Sequence, residues 1–120
     1  MIHTVVMTIE KFEDILAWQK AKSLSLLVYT LFNTNKDYAF RDQIQRASVS
    51  IMNNIAEGFE RKGNKELSHF FFIAKGSCGE LRSMLYLALE LHYISEKDFQ
   101  KLYTESIEIS KMLSGFIKTL

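Results

Sequence analysis

Apolar side chains recur along this chain at alternating three- and four-residue spacing in four long stretches, the period of an amphipathic helix. The first stretch runs from about Asp14 to Phe32, with Ala17, Ala21, Leu24, Val28 and Leu31 on one face. The second runs from about Tyr38 to Arg61, with Phe40, Ile44, Ala47, Ile51 and Ile55. The third runs from about Lys65 to His92, with Leu67, Phe70, Ala74, Ser77, Leu81, Met84, Ala88 and Leu91. The fourth follows Ser95 and carries Leu102, Ser106, Ile109, Leu113, Phe116 and Leu120.

The punctuation agrees with this division. Asn33-Thr34-Asn35-Lys36 is a polar break that suits a short loop. In Lys62-Gly63-Asn64, Gly63 fits a C-terminal cap and Asn64 an N-cap for the next helix. Ser95 with Asp98 three residues on is a capping-box-like start. Gly76 and Gly79 interrupt the third stretch, each at about 1 kcal/mol relative to alanine. Close approach of another backbone is the expected reason; a break there, giving five helices, is the alternative. Short loops between four helices predict an all-α, antiparallel up-down-up-down four-helix bundle.

Composition sharpens this. In 120 residues there is no proline, where average usage gives about six, as four unbroken helices require. Apolar residues are 48% and charged residues 24%, ordinary values for one globular domain. One cysteine excludes an intrachain disulfide. No apolar run reaches the roughly 18 residues of a membrane span. Met1–Thr8 is too short and lacks the basic residues of a signal peptide, so a cytoplasmic protein is expected. A net charge of +1 argues against a basic monomer that coats nucleic acid.

The chain has more apolar surface than one core needs. Opposite its core face the first helix carries Ile15, Trp18, Leu26 and Tyr29, with Lys22 among them. The third helix has an apolar arc wider than the usual stripe of about 100°, and Phe72 and Tyr86 fall outside even that. These residues are a candidate oligomer interface. Rings lying flat over helix ends, or an aromatic base-stacking platform beside Lys22, are the alternatives.

Beside the apolar face of the second helix lies a polar seam of Gln43, Arg46, Ser50, Asn54, Glu57 and Arg61, with Ser77 and Glu80 of the third helix placed to meet it. As a structural network, Arg46 and Arg61 would pair with Glu57 and Glu80. In that case Arg46→Ala would cost about 3–5 kcal/mol. As a ligand or RNA-phosphate site, the seam would use Arg46, Arg61, Lys62 and Lys65. A catalytic carboxylate pair, Glu57 with Glu80, is the third possibility, with no nucleophile identified beside it.

Other chemistry is thin. Glu66-Leu67-Ser68-His69 matches the Glu-x-x-His of di-iron bundles, but no second copy exists. His3 and His92 form no cluster with Cys78, which reads as a small buried hydrophobe. No Gly-rich phosphate loop or dinucleotide fingerprint is present. No metal, cofactor or catalytic residue is expected.

The stretch from Asp42 to Gly58, with Gln43, Arg46-Ala47, Ser50-Ile51 and Asn54-Ile55-Ala56-Glu57-Gly58, resembles the signature of the 23S ribosomal RNA intervening-sequence protein family. Trp18-Gln19-Lys20-Ala21, the Phe70–Glu80 segment and Leu91-His92-Tyr93-Ile94 resemble its further motifs. The likeness covers about Phe12 to Leu120, leaving 1–11 as a variable N-terminal tail and 12–120 as the single bundle domain. It implies a bacterial four-helix bundle without assigned catalytic residues. The family is similar to the accessory variability protein of diversity-generating retroelements, a pentameric barrel that works with nucleic acid. The resemblance therefore implies a homopentamer, which would explain the second apolar stripe on the first helix, though this chain lacks the strong basic character of those relatives. The resulting expectation is a non-enzymatic, self-associating bundle that contacts RNA or an RNA-processing partner, with Arg61, Lys62 and Lys65 as candidate nucleic-acid contacts. The alternative is a protein-interaction scaffold with no nucleic-acid affinity.

Overall fold

The four periodic stretches form four helices in the computed structural model, which describes residues 9–61 and 63–120. A 3-10 turn at Phe12–Asp14 leads into α1 (Leu16–Phe32); α2 (Tyr38–Glu60), α3 (Asn64–Glu90) and α4 (Glu96–Ile117) follow. Side chains cap two of them as local chemistry dictates. Asp37 accepts from the Phe40 N–H at the start of α2, and Ser95 accepts from the Asp98 N–H at the start of α4. Between α2 and α3 the expected capping is corrected: Gly63 itself is the N-cap residue of α3, at φ 99°, and Asn64 is already helical. A backbone in the left-handed region there needs a residue without a Cβ.

Each helix packs on its neighbours in the chain, most extensively α2 on α3, and α1 closes against α4. The ring order α1-α2-α3-α4 puts α1 and α3 on one diagonal. The molecule is a rod of 45 × 21 × 19 Å. Its core takes Ala17, Ala21, Leu24, Val28 and Phe32 from α1, and Phe40, Ile44, Ala47, Ile51 and Ile55 from α2. Large aliphatic side chains buried this way contribute about 1.5–3 kcal/mol each.

α3 buries Leu67, Ala74, Ser77, Leu81 and Ala88 of its predicted face, and Phe71, Cys78 and Leu85 join them, while Phe70 and Met84 sit at the edge and Leu91 is exposed. The helix is rotated toward α4, and Phe71 meets Phe116 edge-to-face. It runs unbroken through Gly76 and Gly79, so the alternative of a break there is not realised. Nor does close approach explain these glycines: a Cβ at Gly76 would meet nothing within 4 Å, and one at Gly79 only the Arg82 guanidinium at 3.8 Å.

The close approach is at Gly58, where a Cβ would stand 2.8 Å from the Cβ of Phe70. That neighbour is anchored to the backbone of α3 and cannot swing away. Gly58→Ala is therefore expected to destabilise the protein. Overpacking costs about 1–3 kcal/mol and outweighs the roughly 1 kcal/mol of helix propensity that alanine gains. Urea unfolding reads the difference, and a variant as stable as the parent refutes the contact.

Candidate functional site

The seam forms where α2 and α3 lie side by side, and its parts differ in character. At mid-height the hydroxyls of Ser50 and Ser77 are 2.9 Å apart, and Asn54 donates to the Ser50 carbonyl at 2.8 Å and its hydroxyl at 3.0 Å. These groups are half-buried or buried and uncharged, so they satisfy one another without desolvating an ion. Near the N-terminal end of α2, Gln43 donates to Glu80 at 3.5 Å. Near its C-terminal end, Arg61 pairs with Glu57 at 3.0 Å and Glu66 at 3.8 Å, and lies 5.1 Å from the centre of the Phe70 ring.

The Arg46 pairing is corrected. Among the described residues Arg46 has no carboxylate within ion-pair reach; it is exposed beside a cavity of about 460 Å³ lined by Asp42, Gln43, Ser50 and Glu80. Its long side chain is better solvated outside than dehydrated in the seam. Glu57 and Glu80 are not brought together either. Glu80 meets Gln43, and Glu57 lies fourteen residues further along α2, about 21 Å of helix. No acid–base pair is assembled from them. The Glu-x-x-His residues also separate: Glu66 joins Arg61, and the ring of His69 meets that of Phe70 edge-on.

Of the candidate nucleic-acid contacts, Arg61 and Lys65 are exposed at one end of the rod, and Lys62 lies outside the described residues, as does His3. Arg61 reaches that surface already engaged by two carboxylates.

The candidate interface residues divide. Ile15 is corrected: it is 3% exposed and belongs to the core, because the chain leaves the helical path there and turns the side chain inward. Trp18 is half-buried, edge-on to Phe12, with the Lys22 ammonium 5.7 Å from its ring centre. Leu26 (62%), Tyr29, Phe72 (56%) and Tyr86 are exposed. Tyr86 packs against Phe99 and Tyr103, and its hydrogen bond with Tyr103 raises its phenol above the ordinary value.

Two tertiary contacts had no clear sequence signal. Tyr93 donates to Asp37 at 2.7 Å and packs edge-on to Phe40, tying together the two loops at one end of the rod. Arg82 donates to the buried Ser106 hydroxyl at 3.0 Å, which in turn donates to the Cys78 carbonyl at 3.3 Å. The pattern placed Ser106 on the core face of α4, and a polar residue there needs such a partner. Burial pushes the Cys78 thiol up to about 11, despite Arg82 and the hydrogen bond with Ser106.

Two outcomes follow. Arg46→Ala should leave unfolding stability within about 0.5 kcal/mol, whereas Asn54→Ala should lose about 1 kcal/mol with its hydrogen bonds; equal losses would return Arg46 to the network. A thiol reagent at pH 8 should label Cys78 only in denaturant, since the folded protein holds it buried and protonated; rapid labelling of the native protein would contradict that burial.

Comparison with known proteins places the chain. A crystal structure at 1.70 Å of a protein of unknown function from the S23 ribosomal protein family of Bacteroides thetaiotaomicron superposes with a TM-score of 0.80 at 24% identity. The match covers 86% of this chain and 99% of that one, and shows that the two share a fold. No curated protein matches. The 23S rRNA-intervening sequence protein profile matches residues 13–115, spanning all four helices but for the last residues of α4, and the chain belongs to that family.

Proposed function

We propose that this protein is a non-catalytic bundle that works by assembling with copies of itself in the cytoplasm, as an accessory or assembly protein. The observation that carries this is the apolar surface left over once the core is complete. Leu26 and Tyr29 on α1, and Phe72, Tyr86 and Leu87 on α3, are large and exposed. Water around such groups costs free energy that a partner surface removes. The seam supports no reaction: its carboxylates are spread along the rod, and its mid-section is hydroxyls and amides bonded to one another.

RNA contact is the second reading, favoured by one observation. Arg61 and Lys65 are both exposed at the same end of the rod, so a ring would gather several copies there. Each copy adds charge that a single +1 chain lacks. Five copies is the number implied by the family resemblance.

Light scattering on the purified protein tests assembly. The expected mass is a discrete multiple of 14.0 kDa, and Leu26→Glu should return it to one copy with helical circular dichroism intact. A wild-type monomer overturns the proposal. RNA binding should weaken steeply between about 50 and 200 mM salt if Arg61 and Lys65 contact phosphates; no binding at the low end leaves the pure scaffold.

A further inference from the structure

A cleft opens between α2 and α3 beside the neutral part of the seam. Its volume is about 460 Å³, and Ala39 and Ala47 line it together with Gln43, Arg46, Ser50 and Glu80. Small-molecule sites run from about 300 to 1,000 Å³, so the cleft has the size for a small ligand.

The two charges facing it are unspent for local reasons. On a helix the carboxylate four residues earlier is the natural partner of an arginine, and for Arg46 that is Asp42. Asp42 is held by Arg41 instead, at 3.1 Å, and Arg41 also lies 4.9 Å from the centre of the Tyr38 ring. That pair cancels its own charge. Arg46 is left at the cleft with no carboxylate in ion-pair reach among the described residues. Glu80 is the converse case. The residues three and four away from it on α3 are Gly76, Ser77, Ser83 and Met84, none of them cationic. Gln43 reaches it at 3.5 Å, a long hydrogen bond that leaves the carboxylate charge uncompensated. Ser50 is engaged by Ser77 and Asn54, so it walls the cleft without requiring a further partner.

Distance selects the ligand. Glu80 faces Gln43, and Arg46 follows Gln43 by three residues, about 4.5 Å along α2. A molecule that satisfies both must carry an anion and a cation a few ångströms apart. An α-amino acid does so, because its ammonium nitrogen and carboxylate carbon are bonded to one carbon and stand about 2.5 Å apart. A carboxylate matches the planar fork of a guanidinium. An ammonium has three donors to share between a carboxylate and an amide carbonyl such as that of Gln43. A phosphate fits badly, since Glu80 and Asp42 on the same walls repel a second negative charge.

We infer that this cleft binds a free α-amino acid, with Arg46 on its carboxylate, Glu80 on its ammonium, and the small walls of Ala39 and Ala47 beside it. The cleft lies within one copy, so the inference stands apart from self-association.

Calorimetric titration of the wild-type protein with each of the common amino acids tests it. At least one should bind once per chain with a Kd of about 1 mM or tighter. Its carboxamide and its 2-hydroxy-acid analogue each lack one charge, and each should bind about ten- to a hundredfold more weakly. Arg46→Gln should bind the amino acid and the carboxamide alike. Glu80→Gln should bind the amino acid and the hydroxy acid alike. Helical circular dichroism should be unchanged in both variants, and a general loss of folding would not pair each variant with its own missing charge. The inference is overturned if no amino acid binds, if the carboxamide matches the acid on the wild type, or if Arg46→Gln leaves the affinity as it was. Inorganic phosphate binding as tightly as the amino acid also overturns it, and makes the cleft an anion site.

Discussion

The approach of α2 to α3 at Gly58 governs much of this bundle. Without a Cβ there, the end of α2 lies directly against the first turns of α3, touching Phe70 and Leu67. Two long helices in contact at one end have little freedom left at the other. The mid-height pair, Ser50 with Ser77, then falls at hydrogen-bond distance, and Gln43 comes opposite Glu80. At the near end, Arg61 is left between Glu57 and Glu66, over the ring of Phe70. The seam is thus a consequence of helix spacing, and its small hydroxyls are the groups that such spacing admits.

Energetically the seam is inexpensive. Its inner part is neutral, so no ion is stripped of water without compensation, and its charged members remain near the surface where solvent screens them. Hydroxyl and amide pairs of this kind specify register more than they add stability. The same economy appears on the far side, where the buried Ser106 is satisfied by Arg82 and the Cys78 carbonyl. Both polar layers keep neighbouring helices from sliding past one another, and α3 contributes to each.

The apolar surplus has a different origin. A bundle of this length needs one buried stripe per helix, and beyond that stripe α4 exposes no large apolar side chain and α2 only Tyr38 in its first turn. α1 and α3 carry more, and they stand diagonally opposed.

The periodicity of apolar residues, the missing proline and the cap at Ser95 determine four helices and a bundle, because helix period and capping depend on a few neighbouring residues. The Gln43–Gly58 signature likewise identifies the family. Which residues meet across helices was beyond that reach. Wheel geometry put Phe70 and Met84 inward and Ile15 outward, whereas the rotation of α3 toward α4 leaves the first two at the edge and the turn before α1 brings Ile15 into the core. Arg46 reads as a seam member by spacing alone, yet side-chain length and solvation carry it outside. Gly76, Gly79 and Gly58 look alike in the chain, and only the packing separates the one that a neighbouring helix demands from two that no neighbouring helix crowds. Local sequence decides what each segment is; the distances between segments, summed over every contact at once, decide what their side chains do.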